Sequence, residues 1–124
     1  MSSSSAQYDV IIIGSGPSGI FTAYEIRKKD PSARVVMIEK GKSIEKRKCP
    51  KRKTGICANC QPCAITTGFS GGGSFSDGKL SINNDGEIGG DLAQHVGLER
   101  FRELLHYVDD LYVGFGADPK VYGN

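Results

Sequence analysis

The stretch from Tyr8 to Glu39, YDVIIIGSGPSGIFTAYEIRKKDPSARVVMIE, decides the fold of this chain. The run Val10–Ile13 is continuously apolar, which is typical of a central parallel strand covered on both faces. Residues 20–29 have helical spacing and end before Pro31, which cannot continue a helix. A second apolar run covers residues 34–39. This β-α-β order predicts two parallel strands joined by a right-handed crossover in an α/β domain.

The segment GSGPSG between the first strand and the helix has the pattern of a dinucleotide-binding loop. Gly14 permits a tight turn, Gly16 lets backbone approach a pyrophosphate, and Gly19 lets helix and strand pack closely. Phosphates there meet free N–H groups and the positive end of the helix dipole. A glycine turn without any ligand is the alternative. The predicted cofactor contacts in this loop are Gly14, Ser15, Gly16, Pro17, Ser18 and Gly19.

Glu39 lies 20 residues beyond Gly19, at the end of the second predicted strand. A carboxylate at this place accepts hydrogen bonds from ribose hydroxyls, and its negative charge disfavours a 2′-phosphate. The sequence therefore favours FAD or NAD over NADP. Lys40, the next residue, is included in the predicted cofactor site.

The opening YDVIIIGSGPSG resembles that of FAD-dependent oxidoreductases. The CP, CxxCxxC and GFSGGGSFSDGKL strings narrow this to a resemblance to the uncharacterised FAD-dependent dehydrogenases, also called NAD(P)/FAD-dependent oxidoreductases. It implies a Rossmann-like FAD/NAD(P)-binding fold with a parallel sheet, FAD as cofactor, NAD(P)H as electron donor or acceptor, and redox chemistry on a small molecule that it leaves unidentified. Family members are several times longer, so residues 8–124 are expected to form an incomplete, N-terminal portion. An oligomer or a further C-terminal portion is expected to complete the fold.

The resemblance also implies roles for residues beyond the second strand. Arg47 fits the position of an arginine that reaches the phosphates or ribose of the cofactor, although a solvated basic residue is an equal alternative. The second glycine string is expected to bring backbone N–H groups to the pyrophosphate or flavin, since glycine lacks a Cβ that would clash. A flexible linker is its alternative. The residues concerned are Gly71, Gly72, Gly73 and Ser74.

Four cysteines fall in the Cys- and Gly-rich loop predicted for residues 41–78. Cys57, Cys60 and Cys63 have CxxCxxC spacing, and Cys49 precedes them. Four thiolates suit zinc or an iron–sulfur cluster. A redox-active CxxC pair and a set of reduced loop thiols are the other two interpretations.

Composition limits the remaining function classes. The 124 residues allow one domain, for which we predict a disordered tail over 1–7 and a second helix over 98–112. Eight of the 16 basic residues lie in Lys40–Lys53, but no aromatic residues are interleaved for base stacking, so nucleic acid is not an expected partner. The rival hypothesis is a non-enzymatic nucleotide- or zinc-binding interaction module.

The sequence shows neither a signal peptide nor a membrane span, so we expect a cytoplasmic protein without a membrane partner. A short strand is predicted at residues 79–82, followed by a turn at 83–86. Neither histidine has a surrounding constellation that nominates it as a catalytic acid or base, and the catalytic residues stay unassigned.

Overall fold

The structure, a computed structural model, describes residues 6–76 and 91–121. Most of the predicted tail, the predicted strand at 79–82 and the turn at 83–86 lie outside these residues. The chain divides at Gly78 into two compact units, and the described residues of each are 6–76 and 91–121.

The first unit begins with the predicted β-α-β arrangement. Strand β1 (Val10–Ile13), helix α1 (Pro17–Lys29) and strand β2 (Val35–Ile38) follow one another, and the two strands pair in parallel with Val10 opposite Val35. The chain is therefore mixed α/β with a small parallel sheet. Helix α1 starts earlier than the periodicity predicts, because the fixed φ of a proline suits the first helical position.

Helix α1 covers one face of the sheet. Ile12 is 8% exposed and points toward Gly19 of the helix, where a Cβ would lie 3.3 Å from the Ile12 Cγ2 atom and would overlap the carbonyl oxygen of Gly14. The close approach predicted for Gly19 is thus observed. Ile11 and Ile13, however, are 60% and 78% exposed. The expectation that β1 is covered on both faces is wrong for the described residues, since side chains of a strand alternate and one helix covers one face.

An ion pair joins the starts of the two strands. The Asp9 carboxylate accepts hydrogen bonds from the backbone N, Nε and Nη2 atoms of Arg34 at 2.8, 3.0 and 2.8 Å. These bonds from the Arg34 side chain and backbone lower the pKa of Asp9 to about 2. The pair therefore fixes the sheet register at its amino end.

The loop predicted for residues 41–78, of which the structure describes 41–76, contains three short helical pieces in that described part. These are a 3₁₀ turn at Ile44–Lys46, helix α2 at Lys51–Thr54, and a 3₁₀ turn at Gly73–Phe75. A parallel bridge joins Lys42 to Gly68. The chain therefore leaves the end of β2 and returns at Gly68 to the neighbourhood of Lys42.

The second unit contains two helices, α3 (Leu92–Val96) and α4 (Leu98–Gly114). Gly97 separates them with a φ of +84°, a conformation that L side chains rarely adopt. The helical spacing predicts an end at Tyr112, and helix α4 continues two residues further to Gly114. Within residues 6–76 and 91–121, no helix is long and apolar enough to cross a membrane.

Candidate dinucleotide-binding site

The glycine loop connects the carboxyl end of β1 to the amino end of α1. Gly14 has a φ of +92° and donates its N–H to the Ile38 carbonyl at 2.8 Å, so the predicted tight turn is present. Gly16 forms the N-cap of α1, and a Cβ placed on it would meet no atom within 4 Å. The first-turn N–H groups of Ser18 and Gly19 have no acceptor inside the helix. The unobstructed backbone of Gly16 and the N–H groups of Ser18 and Gly19 thus lie together at the amino end of α1.

Ser15 and Glu39 connect this loop to the end of β2. The Oε2 atom of Glu39 accepts hydrogen bonds from the backbone N of Ser15 at 2.9 Å and from its Oγ at 3.0 Å, while Oε1 accepts one from Gly41 N at 2.8 Å. Hydrogen bonds from Ser15 and Gly41, with a smaller effect from the Lys40 charge, lower the pKa of Glu39. Glu39 is therefore an anion at neutral pH, held beside the glycine loop.

Further hydrogen-bonding capacity remains on the Glu39 carboxylate. Each ionised oxygen offers about two acceptor positions. Among the described residues, Oε1 accepts a hydrogen bond from Gly41 N, so it keeps room for a hydroxyl donor. Ribose recognition by Glu39, with Lys40 exposed next to it, stays a prediction.

The second glycine string lies against the first. Ser70 donates its backbone N–H to the Ser15 carbonyl at 2.8 Å. Gly71, with a φ of +60°, is so close that a Cβ on it would lie 3.7 Å from the Cα of Gly16 and 3.8 Å from the Cδ of Pro17. Two glycine-rich segments that are far apart in sequence therefore converge at the amino end of α1.

The remaining members of the second string are more open. Gly72 and Gly73 are exposed, and a Cβ on either would meet nothing within 4 Å. The hydroxyl of Ser74 donates to the Phe69 carbonyl at 3.4 Å. Contacts of Gly72, Gly73 and Ser74 with a cofactor stay predictions.

Arg47 is buried, with 4% of its surface exposed. Its guanidinium donates to the carbonyls of Ala64, Phe69 and Ile65 at 2.9, 2.7 and 2.6 Å. The Cζ atom also lies 4.7 Å from the centre of the Phe75 ring. Arg47 thus holds residues 64–69 in place through their carbonyl oxygens. A contact between Arg47 and a cofactor phosphate stays a prediction. The sequence does not reveal these bonds, because backbone carbonyl partners carry no residue-type signal.

The four cysteines are all free thiols. Cys57, Cys60 and Cys63 are exposed, and Cys49 is half-buried. In the described part of the chain, no group of three or more His, Cys, Asp or Glu side chains is placed to hold a metal ion. Zinc or iron–sulfur ligation by these cysteines stays a prediction.

Cys63 has an environment that favours its thiolate. Hydrogen bonds from the backbone N–H groups of Ile65 and Thr66 and from the Thr66 hydroxyl lower the pKa of the Cys63 thiol, and the nearby Arg47 charge acts in the same direction. The chain turns at this point, since Thr67 donates its N–H to the Cys63 carbonyl at 2.9 Å.

A basic cleft is formed by residues of the Cys- and Gly-rich segment between Lys42 and Thr67. It has a volume of about 360 Å³. Its lining includes Lys42, Arg47, Lys48, Cys60, Ala64 and Thr67. The cleft is not predicted above, although the basic run next to the cysteines is a signal for it.

No protein-family model, curated protein or solved structure matches the chain in comparisons with known proteins.

Proposed function

We propose that this chain binds FAD at the Gly14–Gly19 loop and supplies the FAD-binding part of an oxidoreductase with a Rossmann-like fold. One observation carries the proposal: the glycine loop, Gly71 and Glu39 meet at the carboxyl ends of two parallel strands. In α/β sheets, ligands bind outside the carboxyl ends of the strands.

The pyrophosphate fits the amino end of α1. The backbone at Gly16 is unobstructed, and the free first-turn N–H groups of the helix are suitable donors to phosphate oxygens. Gly71 forms a second backbone wall without side chains. These N–H donors therefore suit a pyrophosphate, which is extended and carries two negative charges.

The ribose fits next to Glu39. Its carboxylate is held in place by Ser15 and Gly41, so little side-chain freedom is lost when it accepts a hydroxyl. Its negative charge repels a 2′-phosphate. FAD and NAD are accordingly better ligands than NADP.

FAD, when bound, supplies a redox centre for hydride or electron transfer, with NAD(P)H as the proposed donor or acceptor. The residues of this chain bind and orient the cofactor. The small-molecule substrate and the residues that act on it are left unassigned.

Two-dimensional ¹⁵N–¹H NMR of the whole chain, titrated with FAD, tests the proposal. We expect saturable shifts of the amides in Gly14–Gly19, Gly41 and Gly71. Gly16→Val should abolish these shifts, since the branched side chain occupies the space left for the phosphates. Gly114→Val, at another helix end with open space, is the matched control and should retain them.

The opposite result is equally clear. Absence of shifts in the loop with FAD at saturating concentration, or equal shifts in the Gly16→Val and wild-type chains, would reject the proposal. Zinc in the purified protein by metal analysis, together with no response to FAD, would instead support a zinc-binding interaction module.

A further inference from the structure

We propose that the basic cleft between Lys42 and Thr67 binds a small organic dianion, a phosphate monoester or a dicarboxylate whose charged groups are carried on an apolar body. The cleft belongs to the segment between β2 and the second glycine string. Among the described residues, its lining includes neither the Gly14–Gly19 loop nor Glu39 nor Gly71. The ligand is therefore additional to FAD, and the proposal does not depend on FAD binding.

The cleft contains three cations that lack carboxylate partners. Lys42, Arg47 and Lys48 all line it. In the part of the chain that the structure describes, none of these three side chains forms a salt bridge. Within residues 40–53, Glu45 is the one acidic residue beside eight basic residues. Positive side chains that line one cleft raise the local concentration of small anions.

The Arg47 guanidinium brings a buried charge to this cleft. Arg47 is 4% exposed, and its described hydrogen bonds go to three neutral carbonyl oxygens at 2.6 to 2.9 Å. A guanidinium has five N–H groups, so two of those of Arg47 have no acceptor among the described residues. Burying a charge without an opposite charge is costly. An anion in the cleft supplies that opposite charge.

The two sides of the cleft are joined by close backbone contacts. Phe69 donates its N–H to the Lys42 carbonyl at 3.1 Å, and a parallel bridge joins Lys42 to Gly68. A Cβ on Gly68 would lie 2.6 Å from the Lys42 carbonyl oxygen and 2.7 Å from the Arg47 Cδ atom. The cleft is therefore formed before a ligand arrives, which lowers the entropic cost of binding.

The other lining residues indicate the body of the ligand. Pro50, Pro62 and Ala64 have hydrocarbon side chains, while Gln61 and Thr67 offer an amide and a hydroxyl. The volume of about 360 Å³ lies near the lower end of the range for small-molecule pockets. An inorganic ion would leave the hydrocarbon walls in contact with water, whereas an organic dianion covers them. The cleft thus favours a small organic ligand over a bare ion.

Two pairs of probes test the proposal by ¹⁵N–¹H NMR titration of the whole chain in a phosphate-free buffer. Phenyl phosphate is compared with inorganic phosphate, which lacks the apolar body. Isophthalate is compared with benzoate, which lacks the second charge. We expect saturable shifts of the Lys42, Lys48, Ala64 and Thr67 amides. At least one dianion should have a Kd about fivefold or more below that of its comparison compound, and the tighter dianion identifies the ligand as a phosphate ester or a dicarboxylate.

A matched pair of double variants separates the cleft from the general charge of the segment. Lys42→Gln with Lys48→Gln should raise the Kd of the tighter probe about tenfold or more. Lys51→Gln with Lys53→Gln removes the same charge from exposed residues outside the lining and should change this Kd less than about twofold. Gly16→Val should bind the probe as the wild-type chain does, so a failure of FAD binding is distinguished from a failure of the cleft. Circular dichroism checks that each variant is folded.

Four results would overturn the proposal. The first is the absence of saturable shifts in the cleft with both dianions. The second is equal binding within both probe pairs, and the third is an equal loss of affinity in the two double variants, because the attraction would then be diffuse. The fourth is displacement of the bound probe by FAD, since the cleft would then hold part of the cofactor.

Discussion

Arg47 carries a positive charge into the first unit and places it among three carbonyl oxygens and the face of Phe75. The resemblance implied a cofactor contact for Arg47 through its position after β2. It could not reveal these partners, because they are backbone atoms 17 to 22 residues away in a segment without periodicity. Glu39 differs, because its spacing from Gly19 and the apolar run before it predicted its place at the end of β2.

Arg47→Lys should destabilise the chain by about 2–4 kcal/mol, because an ammonium cannot match the planar fork of a guanidinium and leaves carbonyls unsatisfied. Urea unfolding followed by circular dichroism measures the change. Arg52→Lys is the control, since Arg52 also lies over the Phe75 ring but is exposed. Equal stability of the two variants would show that the bonds of Arg47 contribute little.

Asp9 makes the stability of the sheet depend on pH. Its pKa is lowered from 3.8 to about 2 by Arg34, so its contribution is complete above the unfolded value and is lost as pH falls through the folded one. Asp9→Asn should be less stable than wild type at neutral pH, and the difference should vanish between about pH 4 and pH 2.

Thermal unfolding across this pH range measures the effect of the Asp9 substitution. Asp110→Asn, on the exposed surface of α4, serves as the control and should follow the wild-type pH profile. A constant difference between Asp9→Asn and wild type down to about pH 2 would contradict the assignment of the titration to Asp9.

At the scale of elements, the sequence predicted β1, α1, β2 and α4 because each is a local pattern. Apolar runs and helical spacing need only neighbouring residues for their interpretation. The short helical pieces between 41 and 76 lack such patterns. The approach of Gly71 to Gly16 is a tertiary contact that spacing alone does not predict.

The contact between α1 and β1 depends on Gly19. Gly19→Ala should destabilise the first unit by about 1–3 kcal/mol, since its Cβ overlaps the Gly14 carbonyl and backbone must move. Gly114→Ala, where a Cβ meets nothing within 4 Å, should be neutral or stabilising. Urea unfolding compares the two variants, and a stabilised Gly19→Ala would refute the close packing of helix and strand.

At the scale of the whole molecule, the described residues bury little apolar surface. Ile12 and Phe101 are the buried hydrophobic residues among them, while Ile11, Ile13 and Ile38 are more than half exposed. A parallel sheet is ordinarily covered on both faces. Among the described residues, the glycine loop is thus attached to a sheet with one exposed apolar face.

We therefore expect the 124-residue chain to bind FAD weakly, with a Kd of about 0.1 mM or more, because loop geometry on an open sheet is poorly preorganised. It should turn over no substrate by itself, since the flavin would lie open to water. Isothermal titration calorimetry measures the affinity. Tight, stoichiometric binding would show that the described sheet already holds the site rigidly.

The bridge between Lys42 and Gly68 has a consequence for the tolerance of this chain to changes in length. Residues 43–67 form an excursion whose two ends are adjacent, since Phe69 donates its N–H to the Lys42 carbonyl at 3.1 Å. Doubling the length of such an excursion costs only about 0.6 kcal/mol of closure entropy. Insertions into this excursion, away from Arg47 and its carbonyl partners, should therefore cost little stability and leave the two glycine strings in the same place.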